Sequence, residues 1–144
     1  MSFAEALHAG FDKAFVFSGR ASRPEYWWFV LFFLLSFVTL SVVTALSFPQ
    51  ALSILPGLFA LVMAVPLAAA GFRRMQDTGR TGWLSLVWIV GSATASGGRL
   101  IGSAEVEFLG EAAALGMMAM ILYWQAQPGR RGPNAFGPDP LGRG

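Results

Sequence analysis

The stretch that decides the fold runs from Tyr26 to Phe48 and reads YWWFVLFFLLSFVTLSVVTALSF, with no charged side chain. A helix rises about 1.5 Å per residue, so a helix over 26–48 reaches ~34 Å and crosses a hydrocarbon core of ~30 Å. A signal peptide has an apolar region of only ~7–15 residues close to the start of the chain, which this run does not match. The run therefore predicts a membrane-spanning helix.

The composition of the whole chain agrees with a membrane protein. Of its 144 residues, 55% are hydrophobic and 12% are charged, whereas a soluble domain carries about 25% charged residues. The absence of cysteine excludes disulfides, thiol catalysis and cysteine metal sites. The net charge of +2 is too small to indicate a nucleic-acid partner.

Three further apolar segments, 51–72, 83–97 and 108–124, predict additional transmembrane helices. We therefore expect an all-α, polytopic bundle of about four helices over residues 1–127, followed by a Pro/Gly-rich cytoplasmic tail over 128–144. The last two segments are short for a full span. Thin helices, tilted re-entrant pieces and helices inside a homo-oligomer remain open for them.

The N-terminal segment, 1–17, is patterned without being long enough to cross a membrane. Phe3, Leu7, Phe11 and Phe15 recur at every fourth position, which places them on one face of a helix. This pattern predicts an amphipathic helix that lies in the membrane interface. The alternative is a helix that packs on the rest of the protein.

The distribution of basic residues predicts the orientation. Cytoplasmic loops of membrane proteins are enriched in Lys and Arg, and with four helices nine of the ten basic residues fall on one side. Only Arg99 lies on the other side. We therefore expect both termini to be cytoplasmic.

Charged residues next to the predicted helix ends are the candidate functional site. Asp77 and Glu25 offer carboxylates to nearby arginines, and Ser22 with Glu25 matches a capping box for the first span. The predicted polar network, or set of lipid-headgroup contacts, consists of Arg20, Arg23, Glu25, Arg73, Arg74, Asp77 and Arg80. The network either fixes the helix ends or leaves arginines free to bind a lipid phosphate.

Three motifs carry a resemblance to a known family: FSGRASRPEYW at 17–27, RRMQDTGRTGW at 73–83 and GPNAFGPDP at 132–140. In this order they resemble the domain of unknown function 805, a family of small bacterial inner-membrane proteins. The second motif departs from the family pattern at Met75, Gln76, Thr81 and Leu84. The resemblance implies an integral protein of the bacterial inner (plasma) membrane, with no assigned activity.

Two details of these motifs matter for function. The third motif marks Asn134, Phe136 and Asp139 as candidate tail residues. Gln76 stands where the family usually has histidine, and glutamine is neither a proton carrier at neutral pH nor a common metal ligand. Acid–base or metal chemistry at this position is therefore disfavoured.

The sequence favours a non-enzymatic membrane component that acts through lipid or protein contacts at its arginine-rich cytoplasmic face. The alternative is a small transporter or channel subunit that uses Glu111 and Arg99, since an acid within an apolar segment is a functional candidate. A membrane enzyme centred on Asp77 is the least favoured. We predict no catalytic, cofactor-binding or metal-binding residues; the expected partners are membrane lipids, with a homo-oligomer or another membrane protein as further candidates.

Overall fold

The computed structural model describes residues 1–47 and 52–143; its helices lie between residues 3 and 126, and the tail after them is not helical. Phe48, the predicted end of the first span, and Ala51, the predicted start of the second, lie outside the described residues. The elements, in chain order, are α1 (Phe3–Asp12), α2 (Arg23–Ser47), α3 (Leu55–Asp77), a 3₁₀ helix (Gly82–Leu86), α4 (Trp88–Leu100) and α5 (Ala104–Ala126).

Within the described residues, three helices are long and apolar enough to cross a membrane: Arg23–Leu46, Leu55–Asp77 and Ala104–Ala126. Much of their side-chain surface is apolar and open, as shown by Leu46, 81% exposed, and Leu115, 72% exposed. Lipid can cover such a surface, so these exposed side chains fit a membrane environment.

The predicted helix over 83–97 differs from the structure. Residues Gly82–Leu86 form a 3₁₀ helix, and α4 has only 13 residues. The Ser85 hydroxyl donates a hydrogen bond of 2.6 Å to the Gly82 carbonyl, and Gly82 lies so close to the Phe72 ring that a Cβ would overlap it. The count of four transmembrane helices therefore stays a prediction.

Helices α4 and α5 form an antiparallel hairpin with close backbone contact. A Cβ at Gly98 would overlap the backbone of Glu107, and one at Gly110 would overlap the backbone of Ala95. Small residues allow such an approach between helices. At the turn of this hairpin, Arg99 pairs with Glu107 at 2.6 Å and with Glu111 at 3.2 Å.

Helix α1 is shorter than the predicted 1–17 and packs against the start of α2. A capping box between Ser2 and Glu5 begins it. Its Gly10 faces Phe29, which is fully buried, and the Phe3 ring meets the Trp28 ring at 5.7 Å. These contacts support the alternative of a helix packed on the protein, and the interfacial placement stays a prediction.

The first residues of α2, the last residues of α3 and the last residues of α5 meet at one end of the molecule. Arg23 Nε donates to the Gln127 carbonyl at 2.8 Å, and Arg74 Nε donates to the Gln125 carbonyl at 2.8 Å. We call this region the charged end; it comprises Arg20, Arg23, Glu25, Arg73, Arg74, Asp77, Arg80 and the tail from Pro128.

Candidate functional site

Asp77, the last residue of α3, is the centre of the charged end. Its carboxylate is almost fully buried and accepts hydrogen bonds from Arg20 Nε at 2.9 Å and from Arg74 Nη1. Its backbone carbonyl accepts the Arg130 N–H at 2.9 Å. A buried carboxylate is stable only when it is paired and hydrogen-bonded, so Asp77 fixes three separate parts of the chain around itself.

Arg20 connects Asp77 to the tail. Besides its bond to Asp77, its guanidinium donates to the carbonyls of Gly132, at 2.6 Å, and Gly137, at 3.4 Å, and to that of Arg130. The five donors of a guanidinium suit such a role because they point in fixed directions. The tail is therefore folded back against Arg20 and the end of α3.

Arg74 binds the end of α5. Its side chain, on α3, is fully buried and donates to the carbonyls of Gln125 and Gln127, and to that of Ala21 at 3.4 Å. Burying a charge without partners is costly; here the free carbonyls at a helix C-terminus supply them. Helix α3 runs to Asp77, beyond residue 72, where the predicted segment ends.

Arg73 and Glu25 form a second buried pair, in which Arg73 Nη2 lies 3.6 Å from Glu25 Oε1 and Lys13 Nζ lies 3.9 Å from it. Arg73 Nη1 donates to the carbonyls of Lys13, at 2.6 Å, and Val16, at 3.0 Å. Ser22 Oγ accepts the Glu25 N–H at 3.3 Å, so the predicted cap is present. The Glu25 carboxylate faces cations instead of completing the capping box.

We call Arg20, Arg73 and Arg74 the inner arginines, and Arg23, Arg80, Arg130 and Arg131 the outer arginines. Within residues 1–47 and 52–143, each inner arginine lies within 4 Å of a carboxylate and no outer arginine does. Arg80 stacks over the Trp124 ring at 5.2 Å, and Arg130 covers Gly79. The charged end therefore carries surface positive charge that no acidic residue of the described chain neutralises.

The tail motif meets the second motif at Gln76. Asn134 Nδ2 donates to the Gln76 carbonyl at 3.0 Å, and Gln76 Nε2 donates to the Phe17 carbonyl at 3.2 Å. Phe136 donates its N–H to Asn134 Oδ1 at 2.8 Å. All three motifs found in the sequence are thus in contact at one place.

Asp139 closes the last turn of the tail. Its carboxylate accepts the Leu141 N–H at 3.0 Å and pairs with Arg143 at 3.1 Å. The backbone hydrogen bond from Leu141, followed by the Arg143 guanidinium, holds the pKa of Asp139 below its ordinary value. The Arg143 carbonyl in turn accepts the Gly132 N–H at 2.8 Å.

The structure brings the predicted network residues to one end but gives them different surroundings. Sequence reasoning missed Gln125, whose side chain accepts the Tyr26 hydroxyl at 2.8 Å and whose carbonyl binds Arg74. The available signal was a polar residue directly after the apolar segment 108–124. Across residues 1–47 and 52–143, no three His, Cys, Asp or Glu side chains group in a way that could hold a metal ion.

The apolar helices define an α-helical integral membrane protein. We call the buried pairs of Arg20, Arg73 and Arg74 with Asp77 and Glu25, together with the tail bound to them, the polar clamp. The chain belongs to the family described as protein of unknown function (DUF805), whose model matches residues 14–138, as its motifs predicted.

Two relatives of the chain are named as inner membrane proteins. The chain is 30% identical over 127 residues to inner membrane protein YhaH of Escherichia coli K12, with 86% of each chain covered. It is 36% identical over 74 residues to inner membrane protein YhaI of the same organism, covering 51% of this chain and 62% of that one. No solved structure matches the chain.

Proposed function

We propose that this protein is a non-enzymatic component of the bacterial inner membrane that binds anionic lipids or acidic protein surfaces through its outer arginines. The observation that carries the proposal is the division of the arginines. The inner arginines are paired with Asp77 and Glu25, whereas the outer arginines have no carboxylate partner in the described chain. Unpaired basic residues next to a membrane surface attract anionic lipids, at about 1 kcal/mol for each Lys or Arg.

The proposal includes four crossings, with both termini in the cytoplasm. The ends of α3 and α5 are hydrogen-bonded to each other, so the chain between them must travel away from the charged end and back. The 3₁₀ helix and α4 together reach about 30 Å, at ~2.0 Å and ~1.5 Å per residue. That length is sufficient for the outward crossing, and the positive-inside rule puts the charged end in the cytoplasm.

A labelling experiment tests this orientation. The chain has no cysteine, so single substitutions Ile101→Cys and Leu141→Cys introduce unique thiols at exposed positions of opposite ends. A membrane-impermeant maleimide applied to intact spheroplasts should label the first variant and not the second. Labelling of Leu141→Cys from outside contradicts the orientation.

A lipid-retention experiment tests the function. The full-length protein is purified from inner membranes in mild detergent, and the retained phosphatidylglycerol is quantified. The double variant Arg130→Gln with Arg131→Gln should retain less of it, because both side chains are exposed outer arginines. Arg99→Gln, at the opposite end of the molecule, is the matched control and should retain the wild-type amount. Equal retention in all three proteins contradicts lipid binding by this face.

A further inference from the structure

We propose that a groove at the start of α2 holds one anionic phospholipid, with its phosphate at Arg23 and one acyl chain along Trp27 and Leu31. This inference rests on the proposed function and assigns it a specific site. The groove has a volume of about 410 Å³ and is lined by Arg23, Pro24, Trp27, Trp28 and Leu31. Its size falls within the range of about 300–1,000 Å³ that small-molecule sites occupy.

Arg23 supplies the recognition of the phosphate. Its Nε is held by the Gln127 carbonyl at 2.8 Å, which orients the guanidinium. Its two terminal nitrogens donate no hydrogen bond to the described part of the chain, and its positive charge repels that of the buried Arg74 guanidinium. The guanidinium fork is thus pre-oriented, unpaired and in a positive field, which suits bidentate binding of a phosphate group.

The remaining walls suit an acyl chain. Trp27, Trp28 and Leu31 follow Arg23 by one to two helical turns, so the groove descends about 12 Å from the charged group along the helix. The Trp28 ring is fixed by edge-on contact with Phe3 of α1 at 5.7 Å. In a membrane, tryptophans lie at the headgroup level, and the leucine one turn deeper lies among acyl chains. From Arg23 to Leu31 the groove therefore changes from charged to apolar, as a phospholipid does from its phosphate to its acyl chain.

The combination of one cation with apolar walls selects this occupant. A free phosphate would leave the apolar walls of the groove uncovered. An apolar helix from a second copy would bury the Arg23 guanidinium without a counter-charge. An anionic phospholipid satisfies both parts of the groove.

Native mass spectrometry of the full-length protein in detergent tests the site. Increasing amounts of phosphatidylglycerol, or of phosphatidylcholine with the same acyl chains, are added to the wild type and to variants. Arg23→Gln removes the cation, and Leu31→Trp fills the groove. Leu35→Trp is the matched control because Leu35 is also exposed on α2, one turn further from Arg23 and outside the groove.

The expected result separates the two parts of the groove. Arg23→Gln should weaken the first phosphatidylglycerol about tenfold, which corresponds to ~1.4 kcal/mol, and weaken phosphatidylcholine less, because the choline cation offsets the charge of its phosphate. Leu31→Trp should weaken both lipids, and Leu35→Trp neither. Circular dichroism and elution volume establish that each variant is folded.

Wild-type binding of phosphatidylglycerol by folded Arg23→Gln and Leu31→Trp overturns the groove site. The broader proposed function then stands if Arg130→Gln with Arg131→Gln still reduces retention, and fails with the groove if it does not. Loss of a protein dimer in Leu31→Trp, with lipid binding unchanged, assigns the groove to a second copy and also overturns the lipid site.

Discussion

Arg20 Nε lies 2.9 Å from Asp77 Oδ1, although the two residues are 57 positions apart in the chain. This bond joins the segment before α2 to the end of α3. Since Arg20 also donates to tail carbonyls, one side chain fixes the three motifs relative to one another. The polar clamp is therefore a single unit, and its stability depends on the charge of Asp77.

Asp77→Asn should destabilise the protein strongly. The substitution leaves Arg20 and Arg74 buried without a counter-charge, and breaking a buried pair in this way costs roughly 3–5 kcal/mol. The free energy of unfolding is measured by titrating the protein in mixed micelles with a denaturing detergent. Glu107→Gln is the control, because its partner Arg99 is 65% exposed and exposed pairs contribute only ~0–1 kcal/mol. Equal effects of the two substitutions contradict the central role of Asp77.

The sequence predicted those parts of the structure that depend on the pattern of apolar and charged residues within one segment. Helix α2 follows from an apolar run that needs no knowledge of its neighbours. The pairing of Asp77 with arginines was predictable because a buried carboxylate requires a counter-charge. The choice of Arg20 and Arg74 among the candidate arginines required the structure.

The parts that could not be predicted depend on backbone atoms of distant segments. Arg74 binds the carbonyls of Gln125 and Gln127, and every residue has a carbonyl, so no residue type marks these partners. The 3₁₀ helix at Gly82 similarly depends on the position of Phe72. The division into inner and outer arginines follows from these contacts and is not visible in the spacing of the motifs.

Gly129→Ala should release the tail. A Cβ at Gly129 would overlap the Asp77 carboxylate, so the tail cannot keep its position unless the carboxylate that binds Arg20 and Arg74 moves. Cleavage by trypsin after Arg130 and Arg131 should become several-fold faster, because proteolysis requires local opening of the backbone. Pro133→Ala, an exposed substitution in the same tail, is the control. An unchanged cleavage rate in Gly129→Ala would show that the tail does not need this close contact.

Gly110→Ala should loosen the hairpin of α4 and α5. The added methyl group would overlap the backbone of Ala95, and overpacking of this kind costs typically ~1–3 kcal/mol. Gly116→Ala in the same helix meets open space and should be neutral or stabilising, because alanine is the better helix former. Thermal unfolding in detergent, followed by tryptophan fluorescence, compares the two variants. A midpoint for Gly110→Ala equal to that of Gly116→Ala contradicts the backbone contact.

The last turn of the tail should open in acid. The Leu141 N–H and the Arg143 guanidinium hold the pKa of Asp139 below its ordinary value, so the carboxylate stabilises the turn. That stabilisation is present above the unfolded-state pKa of about 4 and is lost as the pH falls through the lowered folded-state value. The amide chemical shift of Leu141, followed by NMR of the protein in micelles, should therefore change only below about pH 4. Asp139→Ala, which has no side-chain acceptor, should show the open-turn shift at every pH, and a wild-type transition above the ordinary aspartate pKa would contradict the assigned hydrogen bond.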